Sequence, residues 1–162
     1  MEKGFTLIEL LIVLALITII LSSGFILTRK FLDYFYFQSA LNTLIVDLNW
    51  ARNKAIASGN KYGVAFSDTK AVYYLIKERE SGEVIKAKEI LAGEAEIKKI
   101  TLPKYNHDDF SEITHGVFFQ KLGNLAGHNG RVRIGFKDLT AKEIVYSSNA
   151  GELNLRRVDD DE

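Results

Sequence analysis

The chain has 162 residues, 47% of them hydrophobic, and its 21 basic and 21 acidic side chains cancel to a formal net charge of zero. That length accommodates one modest domain beside an anchor helix, and the charge balance gives no general bias toward polyanionic partners. With no cysteine in the sequence, disulfides and thiolate metal sites are excluded.

The first thirty residues carry the strongest pattern. Met1-Glu2-Lys3 precede Gly4-Phe5-Thr6-Leu7-Ile8-Glu9, and an apolar run then continues to Leu27, broken only by Thr18, Ser22, Ser23 and Gly24. A helix over residues 5–27 rising ~1.5 Å per residue would reach roughly 35 Å, enough for a bilayer core of ~30 Å. Glu9 does not fit a plain anchor, because a lone carboxylate in lipid costs about 2.5–3.5 kcal/mol even on the lenient insertion scale. Cleavage after Gly4 would free an α-amine on Phe5, one helical turn from Glu9 of the same chain or beside Glu9 of a neighbour. In a dry helical core such a pair sets the axial stagger between subunits. Two blander readings compete: a secretory signal cut at Ser22-Ser23-Gly24, leaving a domain from Phe25, and an uncleaved single-span anchor. Glu9 inside the apolar run and the helical pattern continuing past residue 30 speak against the first. Lys3 is matched by Arg29 and Lys30 beyond the run, so positive charge alone does not orient the segment.

This stretch resembles the class III signal of type IV prepilins and type II secretion pseudopilins: a short leader with a basic residue, Gly4 before the cut, then Phe5, Thr6, Leu7 and Glu9. The resemblance implies that a prepilin peptidase cleaves between Gly4 and Phe5 and methylates Phe5, and that Glu9 then docks the subunit. It also implies a single-pass precursor in the bacterial cytoplasmic membrane. Lipid would be its first partner, its N-terminus would lie inside, and its C-terminal domain outside the cytoplasm. Many major pilins carry a proline where Ile26 stands here, so a proline-driven kink is not implied. Ser22-Ser23-Gly24 remains a local weak point, since glycine costs a helix about 1 kcal/mol and serines bond back to the preceding turn.

Beyond the apolar run, Phe31, Leu32, Tyr34, Phe35, Tyr36 and Phe37 form an aromatic cluster suited to a membrane–water boundary or to packing between subunits. From there the period is helical: Leu41, Leu44, Ile45, Leu48, Ala51 or Arg52, Ala55 and Ile56, with Asp47 placed mostly off the stripe, and Gly59-Asn60 as the stop. One helix over about residues 5–58 is expected, its second half amphipathic. Strands are expected over 62–66 and 72–77, joined by Ser67-Asp68-Thr69-Lys70, then over 84–91 with Ile85 and Leu91 facing inward. Residues 97–102 are a fourth, ended by Pro103; 117–119, 131–136, 143–147 and 152–156 complete the set. Residues 104–114, including Asn106-His107-Asp108-Asp109, are expected to be a solvated loop, and 122–130 a glycine-rich one. The fold class is α+β: a long N-terminal helix, transmembrane in its first half and amphipathic in its second, packed on one meandering antiparallel β-sheet. This is also the form of a pilin. The organisation expected is a leader over 1–4, a transmembrane and assembly helix over 5–28 and its amphipathic continuation over 29–59. A β-rich periplasmic or extracellular domain over 60–158 and an acidic tail over 159–162 follow.

Later motifs narrow the resemblance. Ala51-Arg52-Asn53-Lys54-Ala55-Ile56-Ala57-Ser58-Gly59 is similar to the helix end of GspH/FimT-type minor pilins and pseudopilins. So is Val117-Phe118-Phe119 before a glycine-rich loop, with Lys142-Glu143-Ile144-Val145-Tyr146-Ser147 and Gly151 after it. The family implies a low-abundance subunit near the tip of a type II secretion pseudopilus or type IV pilus, initiating assembly among other pilin subunits or touching secreted cargo. The alternative is a DNA-binding minor pilin of a competence pilus. Arg131 and Arg133 project from one face of a strand and, with Lys121, His128, Arg156 and Arg157, would form a basic patch for phosphates. Some FimT-type subunits use a late Gly-Arg-x-Arg motif in this way. Here Gly151 is followed by Glu152, Leu153 and Asn154, and Gly130-Arg131-Val132-Arg133 sits one strand earlier. No P-loop, dinucleotide fingerprint or Ser-His-Asp pattern is present, and Asp159-Asp160-Asp161 lacks the spacing of a calcium loop. No catalytic residue, metal or cofactor is expected.

Overall fold

The computed structural model describes residues 5–67, 69–78, 83–90, 95–105, 107–127, 129–136, 139–147 and 152–158. Gly4, Leu91, Asn106, His128 and the acidic tail therefore lie outside the described residues. The chain divides into two compact units, Met1–Tyr36 and Phe37–Glu162.

The first unit is helical from Leu7 onward, as the start of α1 (Leu7–Ser58), and its backbone stays helical through residues 22–24. The apolar side chains of residues 7–21 are exposed all round, as expected for a helix with no polar face to turn toward water. Among the described residues no helix is long and apolar enough to cross a membrane. The run whose side chains are described, residues 7–21, rises only roughly 22 Å at ~1.5 Å per residue. The ~35 Å reach read from the sequence needs the residues up to 27 as well.

In the second unit, residues 37–58 of α1 bury Phe37, Leu41, Leu44, Leu48, Ala51 and Ala55, each at most 1% exposed. Their three- and four-residue spacing makes one stripe. Ala51 rather than Arg52 holds that stripe, and Ile56 turns outward. The helix ends at Gly59, whose φ of 71° places it in the left-handed region, and its N–H donates to the Ala55 carbonyl at 3.0 Å. Eight strands follow: β1 (Lys61–Ser67), β2 (Val72–Glu78), β3 (Glu83–Glu89), β4 (Ala95–Ile100), β5 (Ile113–Phe119), β6 (Gly130–Phe136), β7 (Leu139–Ser147) and β8 (Glu152–Arg157).

They form two antiparallel sheets, β3-β2-β1-β5 and β4-β6-β7-β8, where a single meander was expected. β1 explains the partition. All of it but Lys61 is buried, so it needs partners on both edges and cover on both faces. β5 returns to pair with its free edge instead of extending from β4. Tyr62, Val64 and Phe66 join the α1 stripe in the main core, which also takes Val132, Ile134, Phe136, Ile144 and Tyr146 from the second sheet. Phe37 stacks on Phe136 at 5.7 Å.

The other face of the first sheet has its own small core of Ala65, Tyr74, Ile76, Ile113 and Phe118. It is closed by the stretch expected to be solvated. Tyr105 packs on Phe118 with ring centres 4.6 Å apart, and His107 is buried between Tyr105 and Phe110, its Nδ1 accepting the Asp109 N–H. A strand that is apolar on both faces requires such a cover, and the loop's own composition does not reveal it. The inward assignment of Ile85 is also corrected. The register slips between Leu75 and Ile76, so Leu75 faces Lys86 while Ile76 faces Val84. Ile85 is the extra residue of that bulge and is 44% exposed, and Val84 packs on the small core instead.

Tyr146 is fully buried, and its hydroxyl finds no hydrogen-bond partner among the described residues. Burial alone pushes this phenol well above the ordinary tyrosine value of about 10. A raised value means that the folded state holds the proton more tightly. The associated stability is complete below about pH 10 and is lost as pH rises beyond it. Tyr146→Phe should therefore raise stability at neutral pH by about 1 kcal/mol by removing an unsatisfied hydroxyl, and should flatten the alkaline loss. Circular-dichroism melts of the detergent-solubilised chain at pH 7 and above pH 10 check this; a lower midpoint at pH 7 would reveal a partner for the hydroxyl.

Candidate functional site

The N-terminal turn of α1 is built by Thr6. Its Oγ1 accepts the Glu9 N–H at 3.3 Å, and its carbonyl accepts the Leu10 N–H at 3.2 Å. Thr6-x-x-Glu9 is thus one half of a capping-box arrangement, with threonine at the cap and glutamate three residues on. Glu9 lies in the first turn, where the positive end of the helix dipole favours an anion by about 0.3–1 kcal/mol. The helix itself thereby offsets part of the cost of the carboxylate, before any amine on Phe5 contributes. Phe5 is 82% exposed, and the Leu7 and Ile8 side chains beside Glu9 are also exposed. The result is an apolar helical surface with a single acidic group at its N-terminal end.

The basic residues considered for phosphate binding are not gathered into one open patch. Arg131 and Arg133 do share the outer face of β6, but between them stands Glu143 of β7, 4% exposed, whose carboxylate lies 3.7 Å from each guanidinium. Arg156 faces Glu143 in the β7–β8 register and is exposed. Arg157 falls opposite Lys142, and its side chain is not among those described. Lys121 is exposed on the loop after β5. Arg131, Arg133 and Arg156 therefore surround one buried acid, which cancels one of their three charges and draws Arg131 and Arg133 toward itself.

A second polar cluster joins α1 to the first sheet. Asp47, expected off the buried stripe, is only 9% exposed; its Oδ2 accepts the Tyr73 hydroxyl at 2.6 Å and pairs with the Lys88 ammonium. Burial, then the hydrogen bond to Asp47, holds the Tyr73 phenol well above its ordinary value. On the other face, Glu112 accepts from both Lys70 and Tyr74. The Lys70 bond foremost, then the Tyr74 bond, lowers the Glu112 carboxyl below its usual range. Burial and then Glu112 push Tyr74 up to about 12. The Asp47 contacts tie α1 to the first sheet. Along the outward face of α1, Trp50 stands edge-on to Tyr62 with Lys54 over its ring, in a shallow groove of about 470 Å³.

Residues 1–25 match the family described as the prokaryotic N-terminal methylation motif. No curated protein matches the chain in sequence. Among solved structures, the fold is similar to that of the type IV minor pilin FimU of Pseudomonas aeruginosa (strain PAO1). In one crystal form the TM-score is 0.57 at 18% identity over 78% of this chain and 92% of that one; in another it is 0.50 at 19% identity over 74% and 91%. The minor pseudopilin EpsH of the type 2 secretion system of Vibrio cholerae aligns at 12% identity over 82% of this chain and 98% of that one, with a TM-score of 0.48. The class is thereby defined: an antiparallel α+β domain of pilin type. This chain joins that fold to an N-terminal methylation motif.

Proposed function

We propose that the chain is a minor pilin or pseudopilin subunit, a structural component and not an enzyme. A prepilin peptidase cuts it between Gly4 and Phe5 and methylates Phe5. It is held in the cytoplasmic membrane by residues 5–28 as a single-pass precursor, and it is then drawn into a type IV pilus or type II secretion pseudopilus. The observation that carries this reading is the methylation motif over residues 1–25, set on a helix whose exposed apolar surface has one acid in its first turn. Such a surface is stable only in lipid or against other helices, and Glu9 selects the helix that offers it a cation. The β domain then lies outside the cytoplasm, presented toward neighbouring subunits or secreted cargo near the fibre tip. The DNA-uptake alternative is not favoured: Glu143 sits within the arginine group and holds Arg131 and Arg133 toward itself.

The test has two parts. Mass spectrometry of the protein from its native membrane should find a mature chain starting at methylated Phe5; a start at Phe25, or retention of Met1, would overturn the reading. Glu9→Val should leave cleavage intact while lowering incorporation into sheared fibres at least tenfold, the equivalent of losing about 1.4 kcal/mol of docking. Normal incorporation of that variant would remove the docking role from Glu9.

A further inference from the structure

We propose that β8 is a self-complementary edge through which two copies of this chain pair, strand to strand, about a two-fold axis at Asn154. β8 is the outer strand of the second sheet, and among the described residues no strand lies on its far side. The Val158 N–H donates to the Ala141 carbonyl at 3.2 Å. Backbone groups alternate along a strand, so the even-numbered residues of β8 bond toward β7 while Leu153, Leu155 and Arg157 direct theirs to the open edge. An added antiparallel strand must satisfy those odd-numbered groups, which restricts the registers available to a second β8.

In one of them, Leu153 of each copy faces Leu155 of the other, Asn154 faces Asn154, and position 152 (Glu) faces position 156 (Arg). Opposed residues project to the same side of a sheet. The leucines thus meet on the core side, where Leu153 and Leu155 are already packed against the main core but only half buried. The Asn–Asn pair meets on the outer side, where Asn154 and Arg156 are exposed, with position 152 opposite Arg156 in the register. Shifting the register by two residues in one direction sets Leu153 against Arg157 and Asn154 against Arg156, keeping one Leu–Leu pair. The same shift in the other direction sets position 152 against Asn154 and keeps one Leu–Leu pair. The register centred on Asn154 is the one that matches apolar with apolar and acid with base throughout. β3, one edge strand of the first sheet, behaves differently: pairing with itself about Lys86 would oppose two lysines, a common protection of open edges.

The contact is isologous, so it closes on a pair and does not propagate. A strand of this length buries less than the ~1,200 Å² of a stable complex, so the pairing is weak and suits a covalent trap. The chain has no cysteine, which leaves the background clean. At the open edge Asn154 occupies a non-hydrogen-bonded position, where facing Cα atoms lie ~4.5 Å apart, within the ~4.4–6.8 Å range of a disulfide. Full-length chain carrying Asn154→Cys, oxidised mildly in its native membrane, should run largely as a disulfide dimer. The exposed-loop control Asp109→Cys should give at least fivefold less. Adding Glu152→Arg to Asn154→Cys should cut the dimer several-fold, and the further exchange Arg156→Glu should restore it. Dimer no more abundant than in the Asp109→Cys control overturns the proposal, as does a yield indifferent to the charge reversal.

Discussion

Gly63→Ala should destabilise the β domain by about 3 kcal/mol, the upper part of the range for overpacked cores. Gly63 lies in the middle of β1, opposite Phe118 of β5. A Cβ placed there would stand 2.3 Å from the Val117 carbonyl oxygen and 2.5 Å from the Phe118 ring. The ring can swing only into the small core it fills, and the carbonyl belongs to the β1–β5 pairing, so relief requires the two strands to separate. Gly59 provides the comparison. It has a φ of +71° but open space around its Cβ position, so Gly59→Ala should cost only about 1 kcal/mol. Thermal melts of the detergent-solubilised chain distinguish the two: at roughly 3 °C per kcal/mol for a domain of this size, Gly63→Ala should lose about 10 °C and Gly59→Ala about 3 °C. Equal losses would mean that backbone conformation, and not close approach of β5, fixes Gly63.

The two glycines also mark where the sequence is legible. Gly59 follows a helical stripe and stops it, a local signal, and the structure ends α1 one residue before it. Local signals likewise revealed the helix and the positions of most strands to within a few residues. The partition into two sheets depends on β5 finding β1 across the whole of β2, β3 and β4, and no periodicity encodes that. Ile85 alternates correctly for burial, yet a bulge beside Leu75 turns it outward. His107 sits in a polar stretch and is buried because β1 is apolar on both faces, a demand made elsewhere in the chain. At the N-terminus the string around Gly4, Phe5 and Glu9 was visible as a motif. The same string holds Thr6 three residues before Glu9, a cap signature that was readable and explains how the helix itself helps to carry the acid. The arginines of β6 were visible too. Their partner was not, because Glu143 on β7 becomes their neighbour only once the strands pair.

That neighbour governs the second large effect. Across the second sheet the register sets Lys99, Arg133, Glu143 and Arg156 side by side, with Arg131 reaching the same carboxylate. Removing the acid leaves three arginines facing one another. Breaking a buried pair costs ~3–5 kcal/mol, but Arg131 is half exposed, so Glu143→Ala should cost nearer 2 kcal/mol. Glu143→Gln keeps the shape and removes only the charge, which separates packing from electrostatics. It should also strengthen binding to double-stranded DNA at low salt well above that of the parent chain. With about three arginines available for phosphates, log K should fall with log salt at a slope of roughly −3. Gel-shift titrations across salt on parent and variant decide the matter. If the parent binds as tightly as Glu143→Gln, the carboxylate does not neutralise the group and the arginines are open to phosphates after all. If only the variant binds, then a single acid keeps this face of the domain from acting as a nucleic-acid surface.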